Sequence, residues 1–146
     1  MIEIIIENIF DSSINFNNKV IEQYANKIFN EYDHTVSKIT FIIMNDFELS
    51  KLNIKFFNKN RFTDVITFNL EEEGKPIEGE IYISFERIKE NATLYKQKIE
   101  EEFERIIIHG LLHLLGYNDK TKNEKEKMTK LENKYIGIYP NIIITK

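Results

Sequence analysis

Apolar positions along this chain recur with two periods, and each switch between them marks out an element. Residues 2–6, IEIII, are dense in β-branched side chains and predict a first strand. Asp11, Ser12 and Ser13 offer N-cap chemistry for a helix that runs to about residue 31. Its apolar stripe is Val20, Ile21, Tyr24, Ala25, Ile28 and Phe29. Residues 39–44, ITFIIM, are continuously apolar, as a strand buried on both faces requires. A short helix is expected from Asp46 to about Phe57, with Leu49, Leu52 and Phe56 turned inward.

The second half alternates in the same way. Residues 63–69, TDVITFN, predict a third strand, and 79–84, GEIYIS, a fourth that pairs with it as a hairpin. Gly74 and Pro76 make the stretch between them a turn. A helix from about Phe85 to Lys96 follows. The longest helical pattern then covers about 99–115 through Ile99, Phe103, Ile106, Ile107, Leu111 and Leu114. Its acidic first turn suits the positive end of a helix dipole, and Gly116 is placed to close it in a left-handed cap. A last helix spans Glu124 to about Lys134. The tail IYPNIIITK is apolar but carries Pro140, and fits either an extra edge strand or a packed arm. These elements form an α+β fold in one domain, 1–146: a small mixed sheet of about four strands with helices packed on it.

Composition narrows the class. Hydrophobic residues make up 42% and charged residues 30% of 146, which is globular rather than disordered. The absence of cysteine rules out disulfides and a thiolate zinc site, and leans the chain toward the cytoplasm. No secretory signal is expected, because Glu3 and Glu7 interrupt the apolar start. No apolar run reaches the roughly 18 residues that cross a bilayer, so no membrane association is expected. The net charge of −4 is unlike that of a general nucleic-acid binder. Charge is unevenly spread, however. Lys51, Lys55, Lys59 and Arg61 cluster together, while acid gathers at Glu71, Glu72, Glu73, Glu78 and Glu80, and again at Glu100, Glu101, Glu102 and Glu104. The plain reading of the basic cluster is a solvated helix face; the alternative is a nucleic-acid contact.

The candidate chemistry lies in HGLLHLLGYND, residues 109–119. His109 and His113 stand four apart on the long helix, on one face and about 6 Å from each other, within reach of one metal ion. Gly116 then lets the chain turn back, and Asp119 follows three residues later. A carboxylate is an acceptable third ligand, and three protein ligands leave a fourth position for water, as a catalytic site needs. Asn118-Asp119-Lys120 is also ordinary turn chemistry, so spacing alone leaves Asp119 open between the two roles. His34 reads as a surface residue. The spacing also matches the metzincin proteases with Asp in place of the last His, but those carry Glu beside the first histidine. Gly110 stands there, so that route lacks its base.

Three segments together resemble the YbeY-type endoribonucleases. The first is His109-Gly-Leu-Leu-His113-Leu-Leu-Gly116-Tyr117-Asn-Asp119 with Glu124 and Met128 downstream, similar to the family's His-Gly-x-x-His-Leu-x-Gly-Tyr-Asp-His. The second runs from Leu52-Asn53 through Phe56-Phe57 to Thr63-Asp64-Val65-Ile-Thr-Phe68, and the third is Gly79-Glu80-Ile81-Tyr-Ile83. Order and spacing agree over roughly residues 40–132. The resemblance implies a single-strand-specific, metal-dependent endoribonuclease acting in 16S rRNA 3′-end maturation and ribosome quality control. Its partners would be ribosomal RNA and the small ribosomal subunit, with no small-molecule cofactor. It implies one divalent ion, zinc foremost, held by His109, His113 and Asp119. Asp119 stands where the family has a third histidine. That exchange keeps a donor, adds negative charge, makes the ion a weaker Lewis acid and opens the site to a harder ion such as manganese. Phe57 stands where the family has an arginine. Lys55, Lys59 or Arg61 could supply the missing cation, and Phe57 either stacks on a base or packs the core. Asp64 is expected to hold the turn into its strand.

Two other readings remain at this level. One is a ribosome-assembly RNA-binding protein with a structural metal site, motivated by the missing arginine. The other is a metalloprotease, against which Gly110 argues.

Overall fold

The computed structural model describes residues 2–32, 36–71 and 75–144, so His34 and the turn residues Glu72, Glu73 and Gly74 lie outside it. Strand β1 (Glu3–Asn8) is followed by a two-residue strand, β2 (Asn15–Phe16), and helix α1 (Asn18–Glu31). The N-cap of α1 is Asn17, whose side chain accepts from the amides of Lys19 and Val20. Asp11, expected to help cap it, instead closes a tight turn by accepting from the amide and hydroxyl of Ser13 at 2.9 and 2.7 Å. An aspartate serves either purpose equally well. The intervening β2 decides which.

Strand β3 (Val36–Met44) leads into α2 (Asp46–Phe57), β4 (Val65–Asn69) and β5 (Ile77–Ser84). The four long strands form one sheet in the order β1-β3-β5-β4. The first three are parallel, and β4 runs antiparallel to β5, with Val65 opposite Ile83 and Asn69 opposite Gly79. This is the mixed sheet expected. Strand alternation then sorts the apolar side chains into two cores. Ile39, Phe41 and Ile43 with Ile81 and Ile83 face the main core, which includes residues of α1 and the long helix α4 (Ile99–Leu114). Ile42, Met44 and Ile66 face the other way, against Leu49 of α2.

Helix α2 shows where a periodicity argument goes astray. Leu49 is fully buried, but Phe56, expected inside, is 52% exposed and meets Phe68 on β4 in an edge-to-face contact. The inward position one turn after Leu49 belongs to Asn53, a buried polar residue. Helix α3 (Phe85–Leu94) ends two residues short of the expected Lys96, which adopts φ of 55° beyond the helix. Helix α5 (Lys122–Tyr135) begins with a reciprocal capping box: Glu124 bonds the amide of Thr121, and the Thr121 hydroxyl accepts from the amide of Glu124. No helix among the described residues is long and apolar enough to cross a membrane.

The tail is a packed arm that also forms a strand. Strand β6 (Ile143–Ile144) pairs antiparallel with β2, and Ile142 is fully buried. The acidic start of α4 holds this arm in place. Glu100 accepts from the amide of Ile142 at 2.9 Å, and Glu104 accepts from the amide of Gly137 at 3.1 Å. Part of the acid clustered at the start of α4 therefore pins backbone.

Candidate metal centre and its two clefts

Helix α4 supplies both histidines, and its end supplies the turn that brings the aspartate back. Tyr117 donates its amide to the carbonyl of Leu112 at 3.2 Å and Gly116 to that of His113 at 2.9 Å. These are the paired bonds of a Schellman cap. Gly116 sits at φ of 101°, as expected for a left-handed terminator. The chain reverses there, and Asp119 reaches the histidine face.

The three polar atoms converge. Nε2 of His109 lies 2.9 Å from Nε2 of His113, and Oδ2 of Asp119 lies 3.3 and 3.6 Å from those nitrogens. Tetrahedral zinc with bonds near 2.1 Å sets its donors roughly 3.4 Å apart. The donor set fits one divalent ion, and among the described residues it is the only such group.

Charge in the metal-free site tells the same story. Burial opposes protonation of His109, but its bonds to Asp119 and Glu132 prevail and push its pKa up to about 9. The hydrogen bond from His109 holds Asp119 down at about 2. Burial and the neighbouring His109 lower His113. One proton thus neutralises a cage that is otherwise anionic. A divalent cation can take the place of that proton.

Glu132 was not singled out from the sequence. It is buried on α5, with Oε2 2.6 Å from Nδ1 of His109, and its other oxygen accepts from Arg105 at 2.9 Å. A carboxylate on Nδ1 fixes the imidazole so that Nε2 would face an ion held by this group. No local spacing reveals this, because 23 residues separate the pair. The glutamate that the motif does mark, Glu124, caps its own helix.

Gly110 points away from the centre. A Cβ there would meet the Ile81 side chain of β5 at 3.0 Å. A glutamate has no room, which removes the metzincin route on packing grounds as well as chemistry.

Two clefts meet at Asp119. One is bounded by Phe57, Lys59, Arg61, Thr63 and Lys120 together with His113. Asn53 shapes it: its side-chain amide donates to the carbonyl of Arg61 at 3.0 Å, and its own carbonyl accepts from the amide of Lys59 at 3.3 Å. The buried asparagine therefore positions the loop that carries both cations. Phe57 is half-exposed and stacks parallel to Phe68, with centroids 5.9 Å apart. Lys55 is not part of this cleft; it lies over the ring of Phe56 on the exposed side of α2. The second cleft opens on His109 and is bounded by Asp64, Glu102, Glu132 and the α3–α4 turn. The backbone carbonyl of Asp64 accepts from Ser84, which fits the expected turn role, but its buried carboxylate also borders this cleft. Burial raises the pKa of Asp64.

A mixed α+β fold bearing two histidines and an aspartate for one divalent ion, set between two open clefts, has the make-up of a metal-dependent hydrolase. Residues 6–139 match the family described as Endoribonuclease YbeY. A relative of that name from Amoebophilus asiaticus (strain 5a2) is 42% identical over 120 residues, covering 82% of each chain. Another of that name, from Karelsulcia muelleri (strain GWSS), is 44% identical over 101 residues, or 69% of this chain and 71% of its own. A solution structure of a Thermotoga maritima protein, 31% identical, superposes with a TM-score of 0.58 over 91% of this chain and 87% of that one. The chain belongs to the YbeY family of endoribonucleases, hydrolases that act on RNA.

Proposed function

We propose that this chain is a single-strand-specific, metal-dependent endoribonuclease that acts in the cytoplasm in 16S rRNA 3′-end maturation and ribosome quality control. Family membership supports the RNA substrate. The observation that carries the metal-dependent reading is the convergence of His109, His113 and Asp119 within 3.6 Å at the meeting point of two clefts.

In this reading those three residues hold one divalent ion, zinc foremost. The ion supplies Lewis acidity and a water acidified toward neutral pH. The rest of the work falls to the chain itself. Glu132 orients His109 through Nδ1. Lys59 and Arg61 sit on the His113 side of the centre, where their charges offset negative charge building on the non-bridging phosphate oxygens. They stand in for the arginine that Phe57 replaces. The exposed part of Phe57 offers a stacking surface to one base. Lys55 lies further out and attracts the RNA backbone without contacting the cleaved phosphate.

The test is cleavage of a 5′-labelled single-stranded RNA and of its duplex by purified protein loaded with zinc or manganese. Cutting of the single strand alone, lost with chelator and with His113→Ala, is the expected result. No cutting, together with tight binding to isolated small ribosomal subunits, would overturn the proposal in favour of an RNA-binding assembly factor. A cyclic 2′,3′-phosphate on the product would identify the 2′-hydroxyl as nucleophile, and a plain terminus would identify water.

A further inference from the structure

The two clefts that meet at Asp119 differ in charge, and one of them has no role in the reading above. The Phe57 cleft is cationic through Lys59, Arg61 and Lys120. The other, of about 510 Å³, is bordered by the carboxylates of Asp64, Glu102, Asp119 and Glu132. Its basic side chains are both engaged: Arg105 by Glu132 at 2.9 Å, and His109 between Glu132 and Asp119. That volume falls within the range of small-molecule sites, about 300–1,000 Å³. Carboxyl oxygens dominate its polar walls, so a ligand edge rich in N–H groups suits it better than a phosphate.

Glu102 supplies the specific signal. It is only 3% exposed, and its Oε1 is buried with no hydrogen-bond partner among the described residues. A buried acceptor left unpaired is costly and calls for a donor. A second metal does not answer that need, because only the His109, His113 and Asp119 donors converge on a common point among the described residues. The side chains around Glu102 are those of a base-reading pocket. Gln97 brings an amide to its walls, Asn91 and Asn133 line it while bonded to Asp64 and Arg105, and Tyr95, 61% exposed in the turn after α3, is also part of its lining.

We propose that this cleft is a nucleobase subsite that takes a guanine next to the cut phosphate, with Glu102 accepting from its Watson–Crick edge and Tyr95 stacking on its face. Guanine is the base that offers two adjacent N–H donors, N1–H and the N2 amino group, to the two oxygens of one carboxylate. Bases displaced from the stack are read in this way, on the Watson–Crick edge and between flat side chains. The backbone then runs over the cationic cleft and the base drops into the anionic one. The proposal rests on the ribonuclease reading for the ligand class, though the subsite can be assayed without cleavage.

The experiment uses single-stranded RNA pentamers that differ only in whether one position is guanine, adenine, cytosine or uracil. Binding is measured by fluorescence anisotropy on chelator-treated full-length protein, and cleavage on zinc-loaded protein. The guanine pentamer is expected to bind on the order of tenfold more tightly than the uracil one. Glu102→Gln, which keeps the side-chain volume, brings that ratio close to one. Tyr95→Ala, at an exposed position that the fold tolerates, weakens the guanine pentamer severalfold. Lys59→Ala weakens all four pentamers equally and leaves the ratio intact. A wild-type ratio near one, or a ratio that survives Glu102→Gln, overturns the subsite. Base discrimination without any cleavage supports the subsite and overturns the ribonuclease reading; cleavage without discrimination does the reverse.

Discussion

Oε2 of Glu132 on α5 lies 2.6 Å from Nδ1 of His109 on α4, so the glutamate and the metal centre share one imidazole. Removing that carboxylate while keeping its shape should leave the fold in place and loosen the site. Glu132→Gln is expected to weaken divalent-ion affinity by about 10–100-fold. Competition against a chromophoric chelator measures it. An unchanged affinity would show that the contact is a packing feature alone.

The same contact fixes the proton balance of metal binding. His109 titrates at about 9 without metal, so it is protonated at neutral pH and must lose that proton to offer Nε2. His113 is shifted downward and contributes little. Calorimetry at pH 7 in buffers of different ionisation heat is expected to report about one proton released per ion. Affinity should then fall roughly tenfold per unit as pH drops below about 9. In the metal-free protein the sign is the same as for any raised histidine. The stabilisation is fully present below the unfolded value near 6.5 and is lost as pH rises through about 9. A proton count near zero at pH 7 would contradict this.

Asp119 offers a direct test of ligand identity. Asp119→Ala should lose stoichiometric metal on gel filtration, and Asp119→His should keep it. Histidine at this position also exchanges a hard anionic donor for a neutral imidazole. The ratio of zinc to manganese affinity in Asp119→His is therefore expected to rise, on the order of tenfold. Elemental analysis and competition binding report both effects. Full metal content in Asp119→Ala would rule out ligation by the carboxylate.

The parts of the site visible in the sequence are those held by short-range rules. His109 and His113 share a face because the helical period puts them there, and Gly116 bends the chain because a left-handed residue must end α4. Both bring Asp119 within reach, although spacing alone leaves it open between a ligand and a turn residue. The sheet order came partly into view as well, since 63–69 and 79–84 are expected to pair and 39–44 is apolar enough for a central strand. What stayed hidden depends on contacts between distant segments. Glu132 looks like any solvated glutamate on a polar helix until α5 packs on α4. Glu102 looks like one more acid in a helix's first turn, yet it is buried at the floor of a cleft. The strands β2 and β6 are two residues each, too short to carry a period, and exist only because the tail returns to the N-terminal segment. Phe56 shares the apolar period of α2 but lies at its last turn and is 52% exposed, while the buried positions of the helix are Leu49 and the polar Asn53.

Gly116 links stability to function. At φ of 101° a β-carbon is strained, although nothing lies within 4 Å of where it would sit. Gly116→Ala should therefore cost about 1–2 kcal/mol from the backbone alone. Chemical denaturation gives that figure. The Schellman turn also sets where Asp119 lands, so metal affinity should fall in the same variant. Gly110→Ala is the contrasting case. Its Cβ would press on Ile81 at 3.0 Å with no strained φ, so the sheet contact is set against the helix propensity that alanine gains inside α4. A Gly116→Ala protein with wild-type stability and metal affinity would mean that the cap does not govern the aspartate.

Lys59 and Arg61 border the cleft on the His113 side, and their loop is tied down by Asn53. If they meet phosphates, each neutralises a charge and releases a counterion when RNA binds. Plots of log affinity against log salt should then lose about 0.7 of slope for each of Lys59→Ala and Arg61→Ala on single-stranded RNA. The loss should be the same for any RNA sequence, because phosphate contacts carry no base information. Lys55, outside the cleft and over the Phe56 ring, should change the slope less. Phe57→Arg restores a cation where the family has one, and is expected to steepen the slope and raise the cleavage rate together. Equal slopes for wild type and Arg61→Ala would mean that this loop does not touch the RNA backbone, and the path of the strand would have to be sought on another face of α2.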